Sequence, residues 1–253
     1  MDELIKLVKE TKAIALDSDY AHNVSVKGVA DFVTKVDTAI QEFMRSQLRD
    51  MYPDIQFMSE EKDNRDIDPA GKTWVLDPID GTTNLIHDFK MSAVSLALVD
   101  NGVPVMGIVY NPFTDELFSA RRGQGAYLNG KPIHVTSADK LSDSLVLVGT
   151  SPYRKELADV NFDIIKRLYA ASEDIRRCGA ASLDLCYLAC GRADGFFERD
   201  LKPWDYAAGI AILREAGGCV TDFDGNEPSY RVPSDILASN GMIHDEMKKT
   251  INE

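Results

Sequence analysis

Near residue 140 the chain changes its pattern, and that change limits the folds open to it more than any other feature. Before it, short apolar runs are joined by tight turns. Residues 91–99 and 103–110 flank Asp100-Asn101-Gly102, where Asn-Gly tolerates positive φ and signals a hairpin. Residues 116–120 and 126–128 read as further strands, with Asn129-Gly130 marking another turn. After it, extended and helical stretches alternate: 145–149, 174–177, 194–198, 219–223 and 236–239 extended, with 156–170, 180–190, 204–216 and a final segment from 244 helical. Upstream, Leu4, Leu7, Val8 and Ile14 in 2–17, and Val36, Ile40, Phe43, Met44 and Leu48 in 35–52, fall at helical spacing. Residues 18–33 between them are polar and read as a mobile loop or hairpin. A meander-like sheet followed by strand–helix alternation predicts an α+β fold with an α/β second half. It forms one unit over 1–253, with halves 1–140 and 141–253.

The bulk composition bounds the function. A chain of 253 residues, 44% of them hydrophobic, can bury a sizeable core, and no repeat or Pro/Gly/Ser linker divides it. No apolar run reaches the length of a membrane span, and the charged, amphipathic start is neither a signal nor a transit peptide. Cys178, Cys186, Cys190 and Cys219 form no CxxC pair and lack histidines at zinc-finger spacing. Free thiols suit a reducing compartment, so the expected location is the cytoplasm. A net charge of −13 argues against nucleic acid as a partner. It is compatible with solvated surface, and equally with carboxylates gathered to hold cations.

Position along the chain separates those readings. In Trp74-Val-Leu-Asp-Pro-Ile-Asp-Gly-Thr-Thr-Asn84 an apolar strand ends at Asp77, with a second aspartate three residues on. Pro78 fixes φ, and Gly81 permits backbone that other residues resist. Such a turn can aim Asp77, Asp80 and the Ile79 carbonyl at one point, the oxygen donors that hard divalent cations want. The Gly-Thr-Thr-Asn that follows can open a helix toward a phosphate. An ordinary Asp-rich turn uses the same residue types. Ser59-Glu60-Glu61 has solvated surface as its plain alternative, Asp205 a helix-dipole role, and Asp37 in Thr34-Lys-Val-Asp37 a capping role.

DPIDGTTN at 77–84 and WDYAAGIAILREAGG at 204–218 resemble the two signature motifs of the inositol monophosphatase family. The acidic pair 60–61 lies at the family's distance upstream. NPFTDELFSARRGQGAYLNG at 111–130 and CGAASLDLCYLACGRADGFFE at 178–198 also look like family segments, in the family's order. The resemblance covers essentially the whole chain. It implies a layered α-β-α-β-α sandwich with a mostly antiparallel first sheet. It also implies two or three Mg²⁺ ions held by Glu60, Asp77, the Ile79 carbonyl, Asp80 and Asp205. Asp37 and Thr82 match the pair that orients the attacking water, with Glu60 sharing in catalysis and Glu61 assisting from behind. Substrate contacts fall on Asp80, Gly81, Thr82, Gly179, Ala180, Ala181, Glu198 and Asp205, with Thr150 and Ser151 in a further contact region. Lys27 lies where the family has a lysine near the metals. Cys178 stands where several relatives have a polar residue contacting the polyol.

The implied reaction is hydrolysis of a small phosphorylated polyol or sugar by a metal-activated water, in a homodimer sensitive to lithium. Inositol 1-phosphate is the first-choice substrate. Fructose 1,6-bisphosphate, or broad sugar-phosphate or NADP phosphatase activity, is second, because Arg176, Arg177, Arg199 and Lys202 sit near pocket segments and could bind a second phosphate. A covalent aspartyl-phosphate is disfavoured, since such enzymes place their aspartates two apart rather than three. A non-enzymatic alternative is a metal- or phosphate-binding regulatory protein on the same fold.

Overall fold

The computed structural model describes residues 1–17, 24–28, 31–68 and 70–253, with side chains at 26–28 and 31–32 outside the description. Two sheets carry the architecture. The first has seven strands in the order β3-β4-β5-β6-β7-β8-β9: Gln56–Ser59, Lys72–Asp80, Ala93–Asp100, Val103–Asn111, Glu116–Arg121, Ala126–Leu128 and Lys131–Ile133. All neighbours in it are antiparallel except β3 and β4. The second has five strands in the order β11-β10-β12-β14-β13: Asp174–Arg176, Leu145–Val148, Gly195–Leu201, Ser234–Ser239 and Cys219–Thr221. Here β10 runs parallel to both β11 and β12, while β14 is antiparallel to β12 and β13. The second half is therefore mixed. A hairpin of β1 (Val24–Gly28) and β2 (Asp31–Thr34) lies within the stretch read as loop or hairpin.

The period-two alternation of each strand assigns its two faces to different layers. Trp74 and Leu76 of β4, and Val94 and Leu96 of β5, pack with Leu4, Leu7 and Val8 of the helix Asp2–Glu10 and Ile40, Met44 and Leu48 of the helix Lys35–Met51. Val75, Ala97 and Val109 face the other way, onto Leu183 and Leu185 of the helix Ala181–Ala189 and Ala208 and Ile212 of the helix Pro203–Glu215. The far side of those helices meets Phe196, Ile236 and Ala238 of the second sheet. Phe197 and Leu237, one residue along, point outward to Ile164 and Leu168 of the helix Ala158–Ala171 and Met247 and Ile251 of the helix His244–Asn252. The result is five layers, α-β-α-β-α. Both central helices are apolar nearly all round because both their faces are covered.

Two local features position the site. β4 does not stop at Asp77 as the apolar run suggested but continues to Asp80, through a bulge. Asp77 pairs Ser95 and Asp80 pairs Ala93, so β4 carries one residue more than β5. Pro78 sits inside that bulge, where it has no ladder hydrogen bond to donate. Gly81 then turns the chain at φ +85° into the short helix Thr82–Ile86. A Cβ at Gly81 would lie 2.8 Å from the Met91 carbonyl, so glycine is required there twice over. Among the described residues no helix is long and apolar enough to cross a membrane.

Candidate active site

The parallel register Ser59↔Leu76 sets the first acidic pair. The next residues along the chain are Glu60, just past β3, and Asp77, still within β4, so the register brings these two acids next to each other. Asn64 pins the chain after β3: its Oδ1 accepts from Ser59 N–H at 3.2 Å and its Nδ2 donates to Ser59 O at 2.8 Å. Gln41, one turn beyond Asp37, donates to the Glu61 carbonyl at 3.2 Å. Asn84 closes the opposite wall. Its Nδ2 donates to Met91 O at 2.7 Å and Cys178 O at 2.9 Å, which draws the Gly179 segment against Gly81. Ser95 Oγ donates to Trp204 O at 3.2 Å and so ties β5 to the first turn of the helix that carries Asp205.

These ties converge on a cavity of about 330 Å³, a volume suited to a small ligand. Its walls include Glu60, Asp77, Ile79, Asp80, Gly81, Thr82, Gly179, Ala181, Glu198 and Asp205. Asp37 stands behind Thr82. Its Oδ2 accepts from Thr34 N–H at 2.8 Å and Thr34 Oγ1 at 2.6 Å, and its Oδ1 accepts from Thr82 Oγ1 at 3.3 Å. Capping and reaching toward the site are therefore not alternatives for Asp37; one oxygen does each.

The remaining expected residues fall elsewhere. Ala180 is buried, its methyl against Gly81, and does not form the cavity wall. Thr150 and Ser151 N–H groups donate to Glu198 Oε1 at 3.1 and 2.9 Å, so they hold Glu198. Arg176 pairs with Asp174, and Arg199 pairs with Asp235 and stacks on Phe223. Lys202 and Arg154 line the cavity, but both pair with Asp200. Arg177 lines it too, with no carboxylate within ion-pair distance among the described residues. The side chain of Lys27 lies outside the described residues.

Burial and mutual repulsion leave the acids short of positive charge. Burial pushes Asp77 well above the usual carboxylate range, with Glu60, Asp80, Asp205 and Asp37 adding to the shift. Asp205 is raised in the same way by burial, then by Asp80 and Glu60, although Lys202 N–H donates to its Oδ2 at 2.7 Å. Burial lifts Asp80 to about 6 against the hydrogen bonds of Ser182, and Glu198 to about 7 against those of Ser151 and Thr150. Asp37 is raised by burial despite Thr34.

Such a donor set, all carboxylate and carbonyl oxygen, fits hard divalent cations. Among the described residues no group of three or more aspartate, glutamate, histidine or cysteine side chains is gathered closely enough to hold a metal ion by itself; Mg²⁺ needs only one or two carboxylates per ion and keeps several waters.

Four contributors were not singled out from sequence. Tyr153 and Trp204 line the cavity; nothing marks Tyr153, and Trp204 was visible only as the first residue of the 204–218 motif. Ser182 bonds Asp80 from 102 residues away. Its place in the first turn after Gly-Ala-Ala was visible, but its partner was not. Gly149 matters as well, because a Cβ there would overlap the Glu198 carboxyl carbon. Gly149→Ala is expected to displace Glu198 and raise KM about tenfold, roughly 1.4 kcal/mol of lost binding. Steady-state kinetics at saturating metal check this, and an unchanged KM would remove Glu198 from substrate binding.

The model of the inositol monophosphatase family matches residues 2–253. Nus factor SuhB of Escherichia coli (strain K12) is 41% identical over 223 residues, covering 88% of this chain and 83% of that protein. An inositol-1-monophosphatase of Synechocystis sp. is 38% identical over 229 residues, covering 90% and 79%. Among solved structures, the extragenic suppressor protein suhB of Bartonella henselae superposes with a TM-score of 0.91 at 34% identity, covering 100% of this chain and 98% of that one. A Thermotoga maritima IMPase gives 0.88 at 34%, covering 100% and 97%.

Proposed function

The chain belongs to the inositol monophosphatase family and is a phosphatase, and from that premise we propose that it hydrolyses inositol 1-phosphate to inositol and phosphate with Mg²⁺ as cofactor. The observation that carries this reading is the convergence of Glu60, Asp77, Asp80 and Asp205 from three separate parts of the fold on one cavity. Bound Mg²⁺ would supply Lewis-acid stabilisation of the phosphate's charge and a water of lowered pKa. Glu60, Asp77, the Ile79 carbonyl, Asp80 and Asp205 are the groups that would hold it.

The chain's own groups do the rest. Thr82 Oγ1 has two acceptors, Asp37 Oδ1 at 3.3 Å and Ile79 O at 3.0 Å, and its one hydrogen serves one at a time. Directed at Asp37, it leaves its lone pairs to accept from an attacking water. Asp37, raised by burial, is a better proton acceptor near neutral pH than an ordinary aspartate. Glu198 spends Oε1 on the Thr150 and Ser151 amides, which leaves Oε2 for a substrate hydroxyl.

The cations around the cavity favour a monophosphate. Arg154 and Lys202 are committed to Asp200, so among the described residues a second phosphate would meet only Arg177 uncommitted. A panel of inositol 1-phosphate, fructose 1,6-bisphosphate, NADP and simple sugar phosphates, compared by kcat/KM, tests the substrate. Inositol 1-phosphate is expected to lead. Preference for the bisphosphate by more than about tenfold, or 1.4 kcal/mol, would overturn the reading.

A further inference from the structure

Asp80 ends β4 at the cavity wall, and its Oδ2 is held from far along the chain. Ser182 N–H donates to it at 2.7 Å and the Ser182 hydroxyl at 2.5 Å. With both bonds on Oδ2, Oδ1 accepts none among the described residues and is the oxygen left for a ligand.

The helix Ala181–Ala189 does not need the hydroxyl. Its N-cap is Ala180, so Ser182 lies inside the first turn and does not cap it. Ser182 is completely buried in a layer of alanine, leucine and cysteine. There a serine is a poorer helix former than alanine, and a buried hydroxyl is costly unless it is bonded. Among the described residues its hydroxyl makes one hydrogen bond, to Asp80, and the benefit falls on that carboxylate.

We propose that Ser182 is a positioning residue: its hydroxyl fixes the Asp80 carboxylate in the rotamer that presents Oδ1 to a divalent cation, and so sets the affinity of the cation site. This rests on the reading of Asp80 as a metal ligand. Partners that orient ligating carboxylates typically change metal affinity about 10–100-fold when removed. The Ser182 amide bond survives in an alanine variant, so the low end of that range applies.

The test uses Mn²⁺ as the probe, with binding to the full-length protein followed by electron paramagnetic resonance and calorimetry. Ser182→Ala is expected to bind one class of Mn²⁺ about tenfold more weakly. Its metal-free melting temperature should fall by only a few degrees, because alanine suits the helix and the Ser182 N–H still bonds Asp80 Oδ2. Ser182→Thr, which keeps the hydroxyl, is expected to retain the wild-type affinity. Equal Mn²⁺ affinity in wild type and Ser182→Ala would overturn the proposal. A Thr variant as weak as the Ala variant would do so too, since packing rather than the hydroxyl would then be at work. A wild type that takes up no Mn²⁺ would instead sink the underlying metal-site reading.

Discussion

Asp77→Asn is expected to lower kcat by about three orders of magnitude or more at saturating Mg²⁺, the scale of losing a catalytic metal's function. Once both proteins are stripped of metal, the same variant should melt at a higher temperature than wild type. Asp77 is almost wholly buried, and its nearest charges are other acids: Glu60, Asp80, Asp205 and Asp37. An asparagine keeps the shape and removes the repulsion. Asp77 Oδ1 accepts from the Ile79 N–H at 3.0 Å, and an amide oxygen can take over that bond. Activity and stability thus move in opposite directions, as they do where a site is built against the preferences of the fold. Kinetics together with calorimetry in EDTA check both halves. Near wild-type turnover would remove Asp77 from the metal site.

The second large effect is that Mg²⁺ stabilises the protein strongly at pH 8 and weakly at pH 5. Asp80 is raised to about 6, Glu198 to about 7, and Asp77 and Asp205 well above an ordinary carboxylate. Each of these groups binds its proton more tightly folded than unfolded. Their contribution is therefore fully present below about pH 4 and is lost as pH rises through the folded values. His244, lowered by burial, pulls the other way as pH falls below its ordinary value, but it is one group against four. Stripped of metal, the protein should gain stability on moving from pH 8 toward 5. Cations must displace those protons, so their affinity falls over the same range. Millimolar Mg²⁺ held near 100 times its dissociation constant adds about 2.7 kcal/mol, or about 5–10 °C in melting temperature. Scans with EDTA and with Mg²⁺ from pH 5 to 8 measure the gap, and a gap independent of pH would contradict the electrostatic account.

Much of this was legible before any coordinates, and the reasons are local. The alternation of Val94 and Leu96 with Ala93 and Ala97, and of Phe196 with Phe197, encodes which layer each side chain meets. Asn101-Gly102 and Asn129-Gly130 adopt the positive φ that marked them as turns. The acidic residues could be picked out because Asp-Pro-Ile-Asp-Gly is a rare concentration of ligand and turn chemistry. The bulge at Pro78 could not, since a proline after an apolar run reads equally as the end of a strand. Nor could the sequence separate Arg177 from Arg176, which are adjacent and chemically identical. Only the fold sends one to the cavity and the other to Asp174. Ser182 and Tyr153 stayed hidden for the same reason, because their partners come from distant parts of the chain.

Glu198 is joined to the backbone of Thr150 and Ser151, and Ser151 itself sits at φ +46° and donates its hydroxyl to the Arg199 carbonyl. The residue that would grip the alcohol is also the latch of the loop leading to Tyr153. A lineage drifting toward a new alcohol cannot simply exchange this acid. A replacement without an acceptor oxygen would release one buried and one partly buried amide, at about 1–3 kcal/mol each, and loosen one rim of the pocket. New preferences should therefore arise first at neighbours such as Arg177 and Tyr153, whose side chains make no hydrogen bond or ion pair among the described residues, while the latch is inherited unchanged.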